Sequence, residues 1–163
     1  MPNKIFIAPE TPITWTDTAG DAVLDIGGLV ASTGVRQGAR HDLGTGSRAG
    51  WYEWRIIIDG FDTAPVVGEA IDVYLGFSDG TNSDGNLGTS DAASSTVVLP
   101  NLTPLGSAVV QTTTAADNVV TSGRVFISSR YVIPVIHNRT ADNLLSTSDS
   151  HRFILTPIPD EVQ

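Results

Sequence analysis

The chain has 163 residues, 40% of them hydrophobic and 17% charged, with a mean hydropathy of +0.06; this suits one folded domain and excludes an intrinsically disordered chain or a separate cofactor module. Eighteen acidic residues against nine basic ones leave a formal charge of −9 and a pI near 4.5, which opposes binding to nucleic-acid phosphates or anionic lipid, so neither nucleic acid nor a membrane is an expected partner. The absence of cysteine excludes disulfides, thiolate metal sites and cysteine nucleophiles.

Residues 1–20 carry Pro2, Pro9 and Pro12 and read as an extended N-terminal arm, because proline fixes φ and cannot donate to a ladder. The apolar residues Ile5, Phe6, Ile7, Ile13 and Trp15 of that arm are expected to pack against neighbouring subunits. Lys4–Ala8 is a weak strand candidate, and its three-residue apolar run is too short for the core of a secretory signal. Ala22–Asp25 and Leu29–Ser32 are further weak candidates. Arg36, Arg40 and Arg48 lie ahead of Trp51, and eight of the nine basic residues are arginine; their planar forks suit bidentate contacts with carboxylates across a protein interface, for which these three and Trp51 are the candidates. The glycines from Gly44 to Gly50 fit neither the dinucleotide nor the P-loop spacing.

Between Trp51 and Asp59, Tyr52, Trp54, Ile56 and Ile58 alternate with Trp51, Glu53, Arg55 and Ile57, which predicts a strand with the first set in the core. From Ile71 to Ser78 the same rule places Ile71, Val73, Leu75 and Phe77 inside and Asp72, Tyr74 and Ser78 outside. The loop that follows holds Asp79, Asn82, Asp84 and Asn86, hard oxygen donors of the kind calcium prefers, but it departs from the EF-hand pattern and no bidentate Glu closes it. These are also the residues that tight turns select, so the loop reads first as a turn and no cofactor is expected. Thr96–Leu99, Ala108–Thr112, Arg124–Ser128 and Val132–His137 are weaker strand candidates, with Pro134 making the last an edge strand or one broken at a bulge. His151, Phe153 and Leu155 oppose Arg152, Ile154 and Thr156 in a final strand, and Pro157 and Pro159 then mark a C-terminal tail.

Some ten short strands with little helix predict an all-β fold, an antiparallel β-sandwich of the jelly-roll kind over residues 21–156 flanked by the arm and by a tail over 157–163. A closed barrel is the alternative. Gly76-Phe-Ser78-Asp-Gly80 matches G-x-S-x-G, yet Thr-Asn-Ser-Asp follows where a helix is required, and His41, His137 and His151 occupy no catalytic spacing. No catalytic residue is therefore expected. Trp15, Trp51 and Tyr74 could form an aromatic platform for a sugar, although such residues in sandwiches are more often core or interface. Asn101 and Asn138 head N-x-T sequons, which matter only in a eukaryotic secreted protein.

The C-terminal third reads Arg130-Tyr131-Val-Ile-Pro134-Val135-Ile-His-Asn138-Arg-Thr, then His151-Arg-Phe-Ile-Leu155-Thr-Pro157-Ile-Pro-Asp160-Glu161-Val-Gln163, and the centre carries Ala64-Pro65-Val-Val-Gly68 and Asp72-Val-Tyr-Leu-Gly-Phe-Ser-Asp-Gly80. These stretches resemble small virion proteins of tailed bacteriophages over about residues 50–163. The resemblance implies a non-enzymatic β-sandwich on the phage particle: a head decoration or cement protein that binds the major capsid protein on the outer surface of the head and stabilises the shell. It carries no catalytic residues. A cyclic homotrimer is the expected assembly, because three-fold positions on shells favour one. The alternative is a carbohydrate-binding or host-adhesion module of a tail or head fibre, using Trp51, Tyr74 and the Asp79–Asn86 loop.

Overall fold

The computed structural model describes residues 11–46, 48–146 and 150–158. Eleven strands form two facing sheets: β1 (Ile13–Thr16), β2 (Ala22–Val23), β3 (Gly34–Gln37), β4 (His41–Asp42), β5 (Trp51–Ile58), β6 (Ala70–Ser78), β7 (Ala92–Ala93), β8 (Thr103–Val109), β9 (Val119–Phe126), β10 (Tyr131–Asn138) and β11 (Arg152–Ile158). The first sheet runs β2-β1-β11-β5-β9; the second runs β7-β3-β10-β6-β8, with β4 also pairing β10. All pairs are antiparallel except β1 with β2. The β-sandwich expected from the period-two pattern is therefore present.

β5 shows why the pattern was readable. Tyr52, Trp54, Ile56 and Ile58 are buried, whereas Trp51 and Arg55 are exposed, because one face meets the core and the other meets solvent. Across the interior lie Ile71, Val73 and Leu75 of β6 and Val132 and Ile136 of β10, with Phe153 and Leu155 of β11 beside β5. The second sheet is covered on its outer face as well. The excursion between β6 and β8, with 3₁₀ turns at Asp84–Asn86 and Leu99–Asn101, lays Leu87 and Leu102 over Ile133 and Val135. Gly76 of β6 leaves the socket for Leu87, whose Cδ1 occupies the space a β-carbon would need. Asp72 and Ser78, expected outside, are buried on this same face, Asp72 against Ser107 and Arg139 and Ser78 against Arg40 and the Asn82 turn.

Several expectations are corrected. The arm does not begin the domain from outside: β1 pairs with β11, Ile13 opposite Leu155 and Trp15 opposite Phe153, and Trp15 is 0% exposed. Its ring meets Phe153 and His41 edge to face, and its Nε1–H donates to the Ala39 carbonyl at 2.9 Å, joining one sheet to the other. Trp15 is thus core, and Ile13 packs against the same core, so neither serves as a free interface residue. Ile5, Phe6 and Ile7, with the Lys4–Ala8 candidate strand, lie outside the described residues.

Pro157 and Ile158, assigned to the tail, belong to β11 opposite Tyr52 and Trp51; β1 pairs no further along than Leu155, so the proline needs no donor on that side. Leu29–Ser32 and Thr96–Leu99 form no strand, and the short strands sit instead at β3 and β7.

Pro134 is the instructive case. β10 is neither an edge nor broken, for it pairs with β6 along its whole length and with β3 and β4 on the other side. The bulge lies in the neighbour: Gln37 opposes Val135 and His41 opposes Val132, so Gly38, Ala39 and Arg40 face only Ile133 and Pro134. The Pro134 carbonyl accepts from Gly38 N–H at 2.8 Å. A strand residue aims its N–H and C=O at the same neighbour, so the missing donor falls at the bulge and the β6 ladder is intact.

Candidate functional site

The polar residues singled out by the sequence act mainly as internal fasteners. The Arg36 guanidinium clamps both carboxylate oxygens of Asp91 and reaches Asp25 at 3.5 Å, tying β3 to the segments before it and beside β7. This is the bidentate carboxylate contact that arginine geometry suggests, made within the chain. Arg40 donates to the Gly80 carbonyl at 2.8 Å and lies 4.7 Å over the Tyr131 ring. Arg48 donates to the Gly44 and Ser128 carbonyls. The three arginines do not converge on one surface partner.

The Asp79–Asn86 loop has the geometry of a turn. Asp79 Oδ1 accepts from the backbone N–H groups of Thr81 and Asn82, both at 2.7 Å, and Oδ2 accepts from the Asn82 amide. These bonds hold the Asp79 carboxyl below its usual range, the Asn82 N–H contributing most. Asp84 accepts from Phe77 N–H, and Asn86 adopts a left-handed φ of 61° inside the 3₁₀ turn. Among the described residues no group of three or more acids or histidines forms a cage for a metal.

Ser78, the serine of the G-x-S-x-G match, donates to the Asn82 carbonyl at 2.7 Å and accepts from Gly80 N–H at 3.1 Å. It opposes Tyr131, and Tyr131 opposes Asp42, whereas His41 opposes Val132 on the adjoining rung. Neighbouring rungs face opposite sides of a sheet, so the imidazole points into the core and the hydroxyl out of it. Burial pushes the imidazoles of His41 and His137 below their ordinary range. His151 is buried, its Nδ1 accepting from Asp59 N–H at 3.0 Å and its Nε2–H donating to the Leu145 carbonyl at 2.6 Å. His151 thus has both ring nitrogens engaged within the chain.

The proposed sugar platform does not assemble. Trp15 is core, Trp51 stands on the outer face of the first sheet, and Tyr74 packs against the covered outer face of the second. Trp51 and Tyr74 are on opposite sides of the sandwich.

An apolar row of two exposed aromatic residues and one half-buried isoleucine does assemble on the first sheet. Ile158, Trp51 and Phe126 are register partners across β11, β5 and β9. Trp51 is 48% and Phe126 55% exposed, with their rings edge to face at 5.5 Å. β1 starts at Ile13 and β11 ends at Ile158, both at the end of the sheet where Trp51 stands. Aromatic residues this open are unusual on a surface with no partner to cover them. Sequence reasoning named Trp51 but missed Phe126 and Ile158, which only strand register places beside it.

A charged pair stands on the other sheet, beside the start of β10. Arg130 Nε and Nη2 donate to the two Asp42 oxygens at 2.7 and 2.6 Å. That contact, with Gly44 N–H, lowers the Asp42 carboxyl to about 2. Because the folded value lies below the ordinary one, the pairing stabilises the native state above about pH 4. The benefit is lost as pH falls through about 2. In an NMR carboxyl titration, Arg130→Gln is expected to move the Asp42 midpoint up toward the ordinary aspartate value. An unmoved midpoint would show that the bidentate contact is absent in solution. No protein-family model matches the chain, and no characterised protein matches it in sequence.

Proposed function

We propose that this is a non-enzymatic virion protein of a tailed bacteriophage, a decoration or cement protein that binds the major capsid protein on the outside of the head, in company with further copies of itself. Two things support the reading: the resemblance of residues 50–163, and a surface on which polar groups are largely engaged within the chain while an aromatic row stays open. The observation that carries it is the row Ile158, Trp51 and Phe126 at the end of the first sheet where β1 starts and β11 ends. A flat apolar row of this kind suits a broad protein partner better than a concave ligand site, since interface cores are enriched in aromatic residues. An acidic exterior also avoids attraction to packaged DNA.

We also infer that the sandwich is a jelly roll. With the two-residue strands set aside, the sheets order as β1-β11-β5-β9 and β3-β10-β6-β8, so the chain crosses between sheets as two interleaved Greek keys require.

The test is co-sedimentation of the purified full chain with heads lacking any decoration protein. Binding is expected at about micromolar concentration or below, weakened at least tenfold by Trp51→Ala. Truncating residues 1–10 spares β1 and is also expected to weaken binding. No co-sedimentation at about 10 μM overturns the reading, and glycan binding abolished by Trp51→Ala would transfer it to an adhesion module.

A further inference from the structure

The β9 edge differs from the rest of the surface. Among the described residues β9 pairs with β5 alone, with β8 of the other sheet close beside it but not hydrogen-bonded to it as a strand partner. Its direction of open bonding can be read from one contact: Ile127 N–H donates to the Gly50 carbonyl at 2.8 Å. Alternation along an antiparallel ladder then turns the N–H and C=O groups of Phe126, Arg124, Ser122 and Val120 away from β5, toward the open side. Natural edge strands are usually blunted by lysine, proline or shortness. This one has eight residues, reads Val-Val-Thr-Ser-Gly-Arg-Val-Phe, and carries neither lysine nor proline. From Ala92 to Ser129 the sequence holds one acid, Asp117, out of 18 in the chain. A molecule of net charge −9 repels its own copies, and an edge poor in acids adds little to that repulsion.

The edge is also complementary to itself. At one end stand the exposed rings of Trp51 and Phe126; at the other, Val109 and Val120, 46% and 51% exposed, flank a shallow cleft of about 440 Å³ that reaches Thr112 and Asp117. We propose that a second copy of this chain docks here, β9 pairing antiparallel with β9 about a two-fold axis at Gly123. Parity leaves few registers. Residues with outward N–H groups must meet their like, which excludes every register that pairs an even-numbered position with an odd one. A register centred on Arg124 sets two guanidinium groups directly opposite, and like charges so placed are unfavourable. The register centred on Gly123 sets Phe126 opposite Val120 and Arg124 opposite Ser122. It joins each aromatic ridge to the partner's valine-lined cleft and continues the first sheet through both copies. A strand paired antiparallel with itself is two-fold by geometry, so this contact builds a dimer, not the three-fold assembly expected of a shell site. The contact draws on Phe126 of the row proposed to meet the capsid, but self-association is measured without heads, so failure of one reading is distinguishable from failure of the other.

Sedimentation velocity of the full chain over about 1–100 μM tests it. The mass is expected to rise from 17.2 kDa toward twice that value. Val120→Asp and Phe126→Asp, both at exposed positions, are expected to weaken the dimer at least tenfold, and Val30→Asp, an exposed valine ahead of β3, to leave it unchanged. The chain has no cysteine of its own, so a chain carrying Ser122→Cys and Arg124→Cys together is expected to form a disulfide-linked dimer with oxidised glutathione, because opposed residues lie within disulfide reach. Circular dichroism of each variant checks that the sandwich is kept. The proposal is overturned if the wild-type chain stays monomeric throughout, if its oligomer survives both folded aspartate variants, or if the double-cysteine chain gives no covalent dimer where the wild type associates.

Discussion

Trp15→Ala is expected to lower stability by about 3–5 kcal/mol, the range for removing a large buried aromatic. Trp15 is fully buried between Phe153 and His41, and its indole N–H holds the Ala39 carbonyl at the bulge opposite Pro134. The variant loses packing in the first sheet and leaves that carbonyl without its donor, so the effect reaches both layers. For a domain of this size each kcal/mol is worth about 2–4 °C of melting temperature, and the loss is readable in either a urea or a thermal scan. Trp51→Ala is the control: at 48% exposure it is expected to change stability by under about 1 kcal/mol. Equal effects of the two substitutions would mean that residues 13–16 are not part of the core in solution.

The second large effect is expected at Asn138. It heads an N-x-T sequon, yet it is 0% exposed. Its amide donates to the carbonyls of Leu29 and Asp142 at 3.0 and 2.9 Å, while its Oδ1 accepts from the N–H and the hydroxyl of Thr140. One side chain thus ties the turn ahead of β3 to the turn after β10, and the sequon is a hydrogen-bonding device rather than a glycan site. The Leu29 carbonyl keeps the Leu144 N–H and the Asp142 carbonyl keeps the Thr140 hydroxyl, so Asn138→Ala is expected to cost about 1–3 kcal/mol, chiefly for the buried Thr140 N–H that loses its acceptor. Asn138→Asp keeps the shape but presents oxygen to two carbonyls, and is expected to be at least as damaging at neutral pH and to recover partly in mild acid. Equal stability of Asn138→Asp and wild type at pH 7 would disprove the assignment.

Legibility in the sequence followed solvent exposure. β5 and β11 were readable because each has one face in the core and one toward water, so apolar and polar residues alternate. β6 was only half readable, since Leu87 and Leu102 cover the face on which Asp72 and Ser78 lie. Asp72 is kept there by Ser107 and Arg139, at 2.6 and 3.1 Å, from residues far away in sequence. β3 escaped notice because its buried Gln37 looks like a loop residue until its amide is seen donating to the Ser90 carbonyl and accepting from Gly88 N–H. Pro134 misled because the accommodation is made by another strand. At the candidate site Trp51 was legible as an aromatic on the polar face of β5, but its neighbours Phe126 and Ile158 come from strands far along the chain.

The placing of β10 and β11 at the middle of their sheets bears on how the protein is made. Each is the strand that the earlier strands on either side must pair with, β10 between β3 and β6 and β11 between β1 and β5. A ribosome that has released only the first hundred or so residues has therefore produced strands whose central partners do not yet exist, and neither layer can close. Folding waits for the last segment, is dominated by contacts between distant parts of the chain, and belongs to the slow millisecond-to-second regime of such topologies. Until then the nascent polypeptide shows open hydrogen-bonding rims on both half-built sheets, which makes early shielding by chaperones a natural requirement of its synthesis.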